Sequence, residues 1–164
     1  MEWPENPTQE EAERFFARYT NGQTWELLER SARTQEEGEH MLSAAYASLF
    51  HWRRVGTPKN WQRGEWLVSR AHAALGLGAE AMRHARICLE LTQSHPEDME
   101  DFDLAFAQEA VARAFALTGE AQQAAAHLRR AEEAGRTIMD AEDRAVFIAC
   151  LLWGDWRGLA PASS

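Results

Sequence analysis

Between His51 and Arg70 the chain reads HWRRVGTPKNWQRGEWLVSR, three tryptophans and five cations around one turn. Guanidinium forks bind carboxylates in bidentate fashion and an exposed indole adds contact area, so this composition suits an acidic peptide or a small anion. On a helix starting at Pro58, the residues Lys59, Arg63, Trp66 and Arg70 follow spacings of four, three and four, which puts them on one face. Arg53 and Arg54 flank the turn from the preceding helix, with Asn60 beside them. Arg53, Arg54, Lys59, Arg63 and Arg70 against Glu65 leave +4 in this stretch, so the rest of a chain of net charge −9 carries −13. Part of that excess is local: Glu97, Asp98, Glu100, Asp101 and Asp103 put five carboxylates in seven residues.

Three readings of these two features stay open. In the first, Arg53, Arg54, Lys59, Asn60, Arg63, Trp66 and Arg70 form a binding surface for an acidic protein or peptide. In the second, Trp52 and Trp61 are core anchors and the arginines pair within the fold, including with the loop Glu97 to Asp103, whose acids otherwise favour the next helix N-terminus. In the third, the basic stripe of one copy meets the acidic loop of another in a symmetric homodimer.

Other chemistries have less behind them. Gly76-Leu-Gly78-Ala-Glu-Ala81 carries the letters of a dinucleotide-binding G-x-G-x-x-A, which holds a pyrophosphate only between a strand and a helix. A helix precedes it here, so it reads as a helix junction, and no cofactor is expected. Among His40, His51, His72, His84, His95 and His127 no HExxH or comparable ligand pair occurs, although His40 and His51 share a helical face and His84 and Cys88 lie four apart. The acidic run lacks the central Gly and closing Glu of a calcium loop. No metal is therefore expected. Cys88 and Cys150 sit in apolar helical patterns without CxxC spacing and read as buried free thiols. No nucleophile elbow, phosphate-binding loop or catalytic Cys/His pair occurs. The expectation is a non-catalytic interaction or adaptor module. One alternative is a small-molecule sensor or metal-dependent enzyme with a histidine-lined pocket; another is a homo-oligomeric structural protein.

The elements that must position these residues are helices. Apolar residues make up 45% and charged residues 26%, as in an ordinary globular chain, and no alternating run of β-branched residues reads as a strand. Periodicity predicts helices over Thr8–Tyr19, Thr24–Ser31, Glu36–Val55, Pro58–Leu75, Ala79–Ser94, Asp98–Thr118, Glu120–Ala134 and Ala141–Trp153. Gly56, Gly78, Gly119, Gly135 and Gly154 read as left-handed C-terminal caps. Short links between helices make neighbours antiparallel hairpins. Aligning Gly76–Ala81 with Gly119–Ala124 brings Ala81, Ala85 and Cys88 onto Ala124, Leu128 and Ala131 at an offset of 43. A third partial copy is read at Leu152–Gly158, 35 residues after Gly119.

On these residues the chain, from Glu65 to Leu159, resembles the tetratricopeptide-repeat family, whose two-helix units place small residues near the turn and early in the second helix. The resemblance implies antiparallel hairpins stacked as a right-handed superhelix, with a concave groove that binds peptides. The fold class is all-α: one domain over 1–164, with less regular helices over 8–35, stacked hairpins over 36–159 and a flexible tail over 160–164. A pI near 5.2 argues against nucleic acid. The longest apolar run, Ala145–Trp153, falls short of the ~20 residues of a membrane span. The acidic N-terminus lacks the pattern of an export signal, so a cytoplasmic location is expected.

Overall fold

The computed structural model describes residues 5–161; of the expected tail, 162–164 lie outside the described residues. Seven α-helices follow in order: α1 (Gln9–Leu28), α2 (Gln35–Val55), α3 (Pro58–Ala74), α4 (Gly78–Ser94), α5 (Asp103–Thr118), α6 (Ala121–Gly135) and α7 (Ala141–Leu152). Among the described residues there is no strand, and one 3-10 turn, Pro96–Asp98, precedes α5. Local chemistry sets several starts. Thr8 with Glu11 and Thr34 with Glu37 form reciprocal capping boxes, and Asp140 accepts from the amides of Glu142 and Asp143. Asn60 is half-buried, and its Oδ1 accepts from the Thr57 amide at 3.0 Å and fixes the start of α3.

Two expected boundaries are corrected. The two helices read over Thr8–Ser31 are one. Asn21-Gly22 reads as a turn, but Gly22 lies on the solvent side with nothing within 4 Å, while Ala17, Thr24, Leu27 and Leu28 hold the helix through burial. The helix expected from Asp98 begins instead at Asp103, whose carboxylate accepts from the Glu100 amide at 2.9 Å. Of the five predicted glycine caps, Gly119 and Gly154 have positive φ. Gly135 serves space instead, since a Cβ there would collide with the Phe147 ring.

Consecutive helices pack against each other as α1·α2, α3·α4 and α5·α6 pairs, and α2 and α4 also pack on the next pair. The 43-residue period extends one unit further toward the N-terminus than the sequence pattern indicates. Gly38, Ala81 and Ala124 are equivalent and buried, as are Ala45, Cys88 and Ala131 on the even helices. On the odd helices Thr24, Leu67 and Ala110, and Leu28, Ala71 and Ala114, recur at the same spacing, each buried. Small or compact residues at these places let helices approach closely. The unit is roughly nine residues longer than the 34 of a tetratricopeptide unit. Leu152–Gly158 is no third copy: it is the end of α7 and the turn after it, in which Trp156 is buried.

Helix α7 completes the stack. Phe147, Leu151 and Trp156 enter a core cluster with Ala105, Ala112 and Ala116 of α5 and Ala124, Leu128 and Ala131 of α6. The odd helices share one face, along which rings succeed each other: Trp25 to Trp66 at 5.5 Å, Trp66 to Phe106 at 5.1 Å and Phe106 to Phe147 at 5.2 Å between centroids. No helix among the described residues is long and apolar enough to cross a membrane.

Candidate functional site

The cations singled out in the sequence are each matched by an acid inside the chain. Arg53 pairs with Glu65, and Arg54 with Glu13. Lys59 reaches Glu100 at 2.7 Å, which holds that carboxyl below its usual range, and Arg63 grips Asp103 with two bonds of 2.9 and 3.0 Å while lying over Phe102. The basic stripe and the acidic loop thus meet within one copy. Two members do not present an outward face at all. Trp66 is 7% exposed and Arg70 5%, because this side of α3 packs on α5, where Glu109 accepts from the Trp66 indole and from Arg70, both at 3.2 Å. Trp52 and Trp61 are half-buried, the Trp61 indole donating to the Trp52 carbonyl at 3.0 Å. In the rest of the loop Asp101 accepts from the Met139 amide at 2.8 Å. Glu97 and Asp98 lie beside His95, with one ligand atom of each within 4.8 Å of the others on a partly exposed acidic turn.

The histidines disperse. His40 is exposed, His51 bonds Glu13 and His127 bonds Gln108. Only His72 and His84 come together. His84 Nδ1 lies 2.6 Å from Glu65, and Tyr46 Oη bridges His84 Nε2 at 2.9 Å and His72 Nε2 at 3.0 Å. His84 Nε2 also lies 3.0 Å from Arg83 Nη2, which can only donate, so Nε2 accepts there and from the Tyr46 hydroxyl, and Tyr46 in turn accepts from His72. That order leaves His72 Nδ1 a buried acceptor without a partner. Burial, then the neighbouring His84, lowers the His72 pKa. Cys88 is fully buried and its thiol pKa is pushed well up by burial; Cys150 is half-buried and is raised for the same reason.

A different group of cations shares one cavity. At the end of the stack where the carboxyl ends of α1, α3, α5 and α7 meet, a cleft of about 300 Å³ is lined by Arg30, Arg33, Arg70, Arg113 and Arg157, with Asp155 as its one acid. Ser31, Ala73, Leu117 and Trp153 complete its walls. Arg70 and Arg113 occupy equivalent positions 43 residues apart in successive repeats and form the floor. Both are almost fully buried, and both bond the single carboxylate of Glu109, itself 0% exposed. Two guanidiniums on one carboxylate leave a buried positive charge. Burial lowers the Arg70 pKa to about 10, with Glu109 opposing the shift and Arg113 adding to it, so it stays protonated at neutral pH.

The end of α7 compensates in part. Arg70 donates to the Cys150 and Trp153 carbonyls and lies over the Trp153 ring; Arg113 donates to the Cys150 and Leu151 carbonyls and lies 4.1 Å from the Trp156 centroid. Cations suit the negative end of a helix dipole. Donors remain after these bonds. Arg113 Nη1 faces Gly154, where an added Cβ would lie 3.3 Å away. Arg33 uses Nη1 on the carbonyls of Leu27, Leu28 and Arg30 and leaves Nε and Nη2, while Arg157 touches Asp155 through Nε at 3.3 Å. Arg30 turns to Glu26 and Glu37.

Of this group only Arg70 was singled out in the sequence. The five arginines come from four separate segments, so no local spacing joins them; the 43-residue equivalence of Arg70 and Arg113 was the available signal. Comparison with family models, with curated proteins and with solved structures found no match to this chain. Fold and cleft define an all-α protein of stacked helix pairs with an arginine-lined cavity at one end.

Proposed function

We propose that the protein is a non-catalytic binding module that takes an anionic group of an acidic peptide or partner into the arginine cleft. The observation that supports it most is five arginines around one cavity against a single lining acid, in a chain of net charge −9. The right-handed, tetratricopeptide-like winding of the hairpins belongs to the same proposal. So does the choice of surface: Arg53, Arg54, Lys59 and Arg63 spend their charge on Glu65, Glu13, Glu100 and Asp103, whereas Arg33, Arg113 and Arg157 keep donors beside an open volume. Anions held by guanidinium forks lose affinity as salt screens them. The test is isothermal titration of a hexaglutamate peptide, and of inorganic phosphate, at low and high salt into the wild-type protein and into Arg157→Glu. Binding that weakens with salt and with the charge reversal supports the reading; an absence of binding at low salt by hexaglutamate and by inorganic phosphate alike, or equal binding by both proteins, overturns it.

A further inference from the structure

We infer that the group the cleft is built for is a phosphate monoester dianion rather than a carboxylate. The inference rests on the reading of the cleft as an anion site and deepens it. A carboxylate has two oxygens, whose acceptor lone pairs all lie in one plane. The cleft instead is lined by guanidiniums from separate segments that are not spent on a carboxylate in full: Arg113, whose Nη1 lies beside Gly154, Arg33 of the link after α1, whose bonds all use Nη1, and Arg157 of the turn after α7, which pairs through Nε. A tetrahedral phosphate has three terminal oxygens pointing apart and carries about −1.5 to −2 at neutral pH, which suits donors arranged in this way.

The charge state of the floor points the same way. Arg70 and Arg113 share Glu109, and this carboxylate is already occupied by Trp66 and by both guanidiniums. The surplus positive charge lies beneath a cavity, where a second negative charge on a ligand is answered at low dielectric cost. The guanidiniums that line the cleft match phosphate oxygens as planar forks. The remaining wall, Ala73, Ala74, Gly76 and Leu117, is small and mostly apolar, which leaves room for the carbon atoms that carry the phosphate. A volume near 300 Å³ lies at the small end of ligand pockets, enough for a phosphorylated side chain or a three-carbon phosphate.

The test is titration calorimetry with four probes at equal ionic strength: a serine-containing hexapeptide amide, its phosphoserine form, glycerol 3-phosphate and hexaglutamate. Each is run at pH 5.2 and pH 7.5. The phosphoserine peptide or glycerol 3-phosphate should bind at least tenfold tighter than hexaglutamate. The preferred probe should bind several-fold more tightly at pH 7.5, because the second phosphate ionisation lies near 6. Losing a charged hydrogen-bond donor predicts a drop of about ten- to a hundredfold in Arg157→Ala. Arg157 is exposed and its ion pair is with exposed Asp155, so the variant keeps the fold, and an unchanged melting curve verifies this. Which phosphate probe wins separates a peptide-borne from a small-molecule phosphate. If hexaglutamate binds as tightly as both phosphates, the inference fails and the anion reading stands; if nothing binds, both fail.

Discussion

Replacing Glu109 with Gln removes one negative charge and keeps the shape of the side chain. In the wild type this carboxylate is 0% exposed and takes the Trp66 indole at 3.2 Å, Arg70 at 3.2 Å and Arg113. Without the charge, two guanidiniums, 5% and 4% exposed, lie side by side with carbonyl dipoles and the Trp153 and Trp156 ring faces to answer them, and no anion. Breaking a buried ion pair by removing one partner costs about 3–5 kcal/mol. For a chain of this size each kcal/mol moves the melting temperature by about 2–4 °C, so Glu109→Gln should melt roughly 6–20 °C below wild type. Urea unfolding followed by circular dichroism at pH 7 and low salt gives the free energy directly. Replacing all three charges together, Glu109→Leu with Arg70→Leu and Arg113→Met, should recover most of the loss, since an apolar set of similar volume needs no counter-charge. A loss below about 1 kcal/mol in Glu109→Gln would sink the account of the floor as a charge triad, because even a partly buried pair is worth more.

Acid stability should fall in two steps. His72 has a lowered folded pKa, so its contribution is present above the unfolded value of 6.5 and is lost as the pH falls below it; His72→Gln, which still donates to Tyr46, should flatten urea midpoints between pH 7.5 and 5.5, and an unaltered slope there refutes this. Burial raises the Glu65 pKa, but the hydrogen bonds from His84 and Arg53 prevail and lower it, so its contribution holds above 4.5 and is lost as the pH drops through the depressed value; Glu65→Gln should shrink that second step, which Glu13, Glu37 and Glu100 share, and an unchanged step in acid titration of the urea midpoint refutes this. Gly135→Ala should lose about 1–3 kcal/mol through overpacking against Phe147, and a neutral result in urea unfolding would mean that α7 shifts freely. Light scattering should give the 18.6 kDa monomer mass at low and high salt, since the stripe and loop already pair within one copy; a dimer that dissociates with salt would contradict this.

The helices were legible because periodicity and punctuation are local: Pro58 after Thr57 marks a start and Gly119 an end within a few residues. The long α1 was not, since Asn21-Gly22 carries a turn signal that tertiary burial of Thr24 and Leu27 overrides. The period of 43 showed where both copies kept alanine, as at Ala81 and Ala124, and escaped notice where Gly38 or Leu27 stands in place of the later residue. The stripe Lys59, Arg63, Trp66 and Arg70 is indeed one helical face, but spacing alone does not say what the face meets. Its first turn meets the loop before α5 at Glu100 and Asp103, and its last two members are sealed by Glu109.

That single face explains why charge and burial part company along α3. Lys59 and Arg63 pair with Glu100 and Asp103 in the half-exposed link before α5 and at its first residue. Two turns later the same row reaches the interior, where a cation survives only with a buried acid and the carbonyl end of α7. In the next repeat Arg113 repeats the position of Arg70 and needs the same partners, so Glu109 and the α7 carbonyls are shared. Sharing leaves the pair one negative charge short. A protein that wanted only stability would do better with apolar residues at both positions, as Leu27 shows in the first repeat, where the equivalent site is an ordinary core leucine. The departure from that pattern in two successive repeats falls at the floor of a cavity, where the surplus charge can meet an anion.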